Sequence, residues 1–110
     1  MKLDADWEDT IVSLILNSET NVGISDEEIH TALAKMEDLC KAYKGQTTLP
    51  MRIANVLIDM QSSLIIYSDR HRQHLNNEEM AEKIFRAALD LASIARNMTS
   101  DQIERSSGVV

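Results

Sequence analysis

Apolar residues recur at helical spacing in four stretches of this chain, separated by polar runs that carry its Gly, Pro and paired Asn residues. The first stretch, about Asp6 to Asn17, puts Trp7, Ile11, Leu14 and Ile15 on one face,. Acids fill its first turn, where the helix dipole favours negative charge, and Asn21-Val22-Gly23 breaks it. The second opens on Ser25-Asp26-Glu27-Glu28, the S-x-x-E pattern of a capping box,. It carries Ile29, Leu33, Met36, Cys40 and Tyr43 at intervals of 4, 3, 4 and 3, and Gly45 ends it,.

The third stretch begins at Pro50, suited to a first helical position, with Thr47 or Thr48 as cap,. Ile53, Leu57, Met60, Leu64 and Tyr67 repeat the 4, 3, 4, 3 spacing. Ala54, Ile58 and Ile65 widen that arc to one side and Ile66 stands outside it, which predicts a central helix with more than one neighbour,. The fourth follows Asn76-Asn77, with Asn77 as cap, and carries two overlapping stripes that share Ala88 and Ala95,. After Met98 the chain turns polar, so residues 99–110 are expected to form a flexible C-terminal tail,.

The pattern therefore predicts an all-α fold: one small antiparallel bundle of about four helices over residues 1–98. Short links make sequential helices antiparallel neighbours. At about 1.5 Å per residue the third helix spans roughly 39 Å and the first under about 20 Å. A first helix that short leaves part of the broad apolar arc uncovered unless it folds across one end or a second copy of the chain covers the rest. A homodimer is the expectation.

Composition agrees with helix-on-helix packing. The chain has 110 residues, 44% of them apolar but only 4% aromatic, so Leu, Ile, Met and Ala fill the core. The one cysteine, Cys40, makes no internal disulfide and falls on a core stripe, which reads as packing rather than as a nucleophile,. The longest apolar run, Ile11 to Leu16, is interrupted by Ser13 and is far below membrane-spanning length,. With acids rather than bases at the N-terminus, a cytoplasmic protein is expected,.

Net charge is −7, unevenly placed: residues 1–40 hold ten acids and two bases (net −8), residues 41–110 eight acids and nine bases (net +1). Nucleic-acid binding needs clustered bases and is disfavoured. The acidic half suits a basic surface on another protein. Asp4, Asp6, Glu8 and Asp9 on the first helix and Asp26 and Glu27 on the second are the candidate contacts; Trp7 is either an exposed aromatic anchor beside them or, with Ile11 and Leu14, part of the core,.

One constellation suggests chemistry. His71 and His74 continue the stripe of the third helix, and a hairpin of the second and third helices brings His30, Glu27 and Glu28 opposite them. Two His at i and i+3 with a third from a neighbour give a candidate zinc-type site. The plainer alternative is a solvated bundle end in which Glu27 and Glu28 pair with Arg70 and Arg72. No H-E-x-x-H, Cys pair, glycine-rich phosphate loop or G-x-S-x-G elbow occurs,. The expectation is a non-enzymatic interaction module without a cofactor, an inhibitor, adaptor or regulator; the rival is a metal- or ligand-binding protein using the three histidines.

Overall fold

The computed structural model describes the backbone of residues 2–45 and 48–107 and the side chains of residues 6–45 and 48–97. The described residues form four helices: α1 (Lys2–Glu19), α2 (Asp26–Ala42), α3 (Met51–Gln73) and α4 (Glu78–Ser107).

Local chemistry sets most of the boundaries. Ser25, in extended conformation, accepts a hydrogen bond from the Glu28 N–H at 3.1 Å and so caps α2 as the S-x-x-E pattern predicts. The Asn77 Oδ1 accepts from the Met80 N–H at 3.0 Å and caps α4. Between α3 and α4, Asn76 takes a left-handed φ of 51° and the Asn77 N–H closes back on the His71 carbonyl at 2.8 Å. Asparagine tolerates that conformation better than most side chains. At α3 the cap is Pro50 itself, with no side-chain hydrogen bond; its carbonyl accepts from the Ile53 and Ala54 N–H groups. Thr48 plays no capping part, and Thr47 lies outside the described residues.

Two helices are longer than their apolar stripes suggest. α1 starts at Lys2, because nothing in Lys2–Asp6 breaks a helix and the acids there suit its N-terminus,. α4 runs past Met98 to Ser107, since Thr99–Ser107 holds neither Gly nor Pro,. Residues 108–110 lie outside the described ones.

The architecture is two helical hairpins laid side by side. Asn17, near the end of α1, donates to Glu28, near the start of α2, so these two are antiparallel. Ser68 of α3 donates to the Ala81 carbonyl of α4 at 2.7 Å, which makes the second antiparallel pair. Arg52 pairs with Glu8 at one end, and His71 meets Ser18 at the other, so α1 runs parallel to α3, and α2 and α4 run parallel to each other in the opposite sense. The extensive packings are α1 on α2 and α3, and α4 on α2 and α3.

This corrects the hairpin expected of α2 and α3. They occupy opposite corners of the bundle. The buried Ala81, Ala87, Ala88 and Ala92 of α4 let its neighbours approach closely. α2 is held on one flank by α1 and on the other by α4. At 18 residues, about 27 Å, α1 also lies lengthwise on α3 rather than across one end,.

The core is aliphatic with one indole. Trp7, Ile11, Leu14, Met36, Met60 and Leu64 are among its fully buried side chains, joined by Ile84 and Leu91 from α4. Gly23, at φ +82°, lets the α1–α2 link pass against α4: a Cβ there would run into the Met80 side chain. The neighbouring Ile24 N–H donates to the Met80 sulfur at 3.4 Å.

Candidate functional site

The acids predicted as contacts divide among different surfaces. Glu8 is half-buried and paired with Arg52 of α3, on the side of α1 away from α2. Asp26 lies 3.3 Å from the Lys83 ammonium of α4. Asp6, Asp9 and Glu27 are exposed, and the side chain of Asp4 lies outside the described residues. Trp7 is 1% exposed. The anchor reading of Trp7 is therefore overturned: it shares a face with Ile11 and Leu14, and that face packs inward.

Asp9 and Glu27 instead flank a groove of about 450 Å³ between α1 and α2. Thr10, Ser13 and Asn17, spaced 3 and 4 along α1, form one wall; Glu27, Glu28 and Thr31 form the other. Glu28 is held by the Asn17 amide at 3.0 Å and by the Ser25 hydroxyl at 3.4 Å. None of the described residues lining this groove is a lysine, arginine or histidine. The shallow depression between α2 and α4, by contrast, carries Lys83 and Arg86 among its acids. The described lining of the α1–α2 groove is thus net negative, with hydroxyls and an amide beside its carboxylates to orient a cationic, hydrogen-bonding guest,.

Asp9 and Glu27 are legible from the sequence as candidate contacts; the polar row Thr10, Ser13, Asn17 is not among the residues its charge pattern singles out. A signal was present: these small uncharged polar residues keep the i, i+3, i+7 spacing of a single helix face,.

The bundle end where α1 and α3 stop and α2 and α4 start gathers the other predicted residues. His71 is fully buried, its Nε2 donating to the Ser18 carbonyl at 3.0 Å. Arg70 donates to the Glu19 carbonyl and to the Asn21 side chain. Consecutive residues of α3 thereby satisfy the last carbonyls of α1, which have no partner within their own helix. Arg72 faces α4, 3.8 Å from Glu78 and 3.9 Å from Glu82. The expected pairs of Arg70 and Arg72 with Glu27 and Glu28 do not form, because α2 sits diagonally from α3.

For the same reason the three histidines are not assembled as a ligand set. His30 and His74 are exposed, and His71 is committed to Ser18. Among the described residues no group of three or more His, Cys, Asp or Glu is arranged to hold a metal ion. Cys40 is free and half-buried on α2. No helix among the described residues is long and apolar enough to cross a membrane. Compared with protein-family models, with curated proteins and with solved structures, the chain matches none of them.

Proposed function

We propose that this chain is a non-enzymatic interaction protein, acting as a homodimer, that binds a basic segment of another protein in the α1–α2 groove and thereby modulates that partner. The observation that carries the reading is the groove itself: Asp9, Glu27 and Glu28 line it, and none of the other described residues lining it is basic. Lys or Arg side chains laid along it would meet carboxylates on both walls, and the hydroxyls of Thr10, Ser13 and Thr31 would accept their remaining N–H groups. The excess of acid in residues 1–40 extends the negative field beyond the groove and would speed encounter with a basic partner, more so at low salt,.

The test is calorimetric titration with a short Lys- and Arg-rich peptide at low and at physiological salt. Reversing Asp9 and Glu27 to Lys removes two exposed charge contacts and adds repulsion, together about 1–2 kcal/mol, or roughly 5–30-fold in affinity. The control reverses the exposed Glu37 and Asp38, away from the groove, by the same total charge. Weakening confined to the groove variant supports the reading. Equal weakening in both variants reduces the interaction to diffuse charge and removes the groove as the site.

A further inference from the structure

The outward side of α3 is unusual for a surface helix. Ile58 and Ile66 are 65% and 62% exposed, and Ile65 beside them 36%. Leu16 and Val12 of α1 and Leu89 of α4 extend the apolar surface on either flank, also exposed. Between Ile53 and Ser68 the only charged residue is Asp59, in a chain that is 26% charged. Depletion of charge around exposed aliphatic side chains marks the centre of an interface rather than a solvated face. These six side chains present roughly 500 Å² of apolar surface, close to the apolar share of a standard homodimer interface of about 800 Å² per partner.

We infer that this face receives a second copy of the chain, with the two α3 helices packed antiparallel about a two-fold axis at Ser62. The inference rests on the dimeric reading above and assigns it a surface and a register. A two-fold contact must be self-complementary, and α3 has that pattern around Ser62. Ile58 and Ile66 lie four residues to either side, Asn55 and Asp69 seven. An antiparallel pairing sets Ile58 against the partner's Ile66, and lets the Asn55 amide donate to the carboxylate of the partner's Asp69. Ser62 at the crossing is small enough for the helix axes to pack within the usual range of about 8–10 Å. Joining two copies through α3, with Val12 and Leu16 of α1 at one edge of the contact, leaves both α1–α2 grooves open to solvent.

Light scattering on the eluting protein tests the surface. The wild type is expected at twice the chain mass of 12.4 kDa. The Ile58→Glu, Ile66→Glu variant, with both changes at exposed positions, is expected to keep its helical circular dichroism, elute at the monomer mass and dissociate at least about 100-fold more readily. In a Cys40→Ser background, Ser62→Cys is expected to form a reducible disulfide dimer under mild oxidation: with helix axes about 10 Å apart and each Cα about 2.3 Å from its axis, facing Cα atoms lie about 5.4 Å apart, within the roughly 4.4–6.8 Å a disulfide requires. A wild type that stays monomeric at several hundred micromolar overturns both the dimer and this face, while the groove remains separately testable by the peptide. A wild-type dimer unaffected by the two glutamates overturns this face alone. Dissociation by the glutamates without cross-linking at Ser62→Cys overturns the assigned axis.

Discussion

Trp7 provides the sharpest test of how α1 is oriented. Its indole is 1% exposed within the cluster of Ile11, Leu14 and the aliphatic residues of α2, α3 and α4, and among the described residues its Nε1 has no hydrogen-bond partner. Trp7→Ala removes the largest side chain of the core, and truncations of this kind cost about 3–5 kcal/mol. A domain of this size has only about 5–15 kcal/mol to lose. The expected consequence is a fall in Tm of about 15 °C or more. Trp7→Phe behaves differently. The smaller ring leaves a void, but it also deletes a buried, unpaired N–H that costs the native state about 1–3 kcal/mol. The two terms oppose each other, so a net change within about 1 kcal/mol is expected. Urea unfolding followed by circular dichroism measures both variants. In the wild type the single tryptophan reports independently, with emission that shifts to the red on unfolding. A Trp7→Ala change below about 0.5 kcal/mol would refute the inward-facing indole and return Trp7 to the surface, where it would again be a candidate anchor.

Two further predictions follow from single hydrogen bonds. Ser25→Ala removes the oxygen that accepts the Glu28 N–H, and is expected to lower stability by about 1 kcal/mol with the α2 amides exchanging faster at that end,. His71→Ala leaves a cavity and strands the Ser18 carbonyl, a loss of about 3 kcal/mol, whereas His71→Gln, which keeps a donor within reach, is expected to recover a substantial part of it; equal losses in thermal melts would mean that the bond to Ser18 contributes nothing,.

How much of this was legible beforehand follows from the range of each signal. The capping residues Ser25 and Asn77, the four apolar stripes and the all-helical class depend on neighbours within a turn or two, and they could be read directly. Helix pairing was not local. The short link between Tyr43 and Pro50 suggested a hairpin, but α2 is held between α1 and α4 and never takes α3 as a close neighbour. That difference propagated into the site: His30 could not join His71, and Arg70 and Arg72 found α1 and α4 instead of Glu27 and Glu28. For Trp7 the local sequence supports two readings: a lone aromatic in an acidic segment resembles an interface anchor, and its spacing from Ile11 and Leu14 puts it on the apolar stripe; the structure takes the second. Ile66 lies outside the core arc as its spacing predicts, while Ile58 and Ile65, which the spacing places at the edge of that arc, lie at the surface. The groove was half legible. Its charge showed in Asp9 and Glu27, and its polar wall of Thr10, Ser13 and Asn17 was overlooked because hydroxyls on a helix ordinarily signify only solvent.

The most direct measurement of the groove's role is an amide NMR map of the protein titrated with the Lys- and Arg-rich peptide. The account predicts shifts concentrated on residues 9–17 of α1 and 25–31 of α2, with the outer face of α3 unchanged. Shifts spread evenly over every acidic surface, or gathered on α3 and α4, would contradict it.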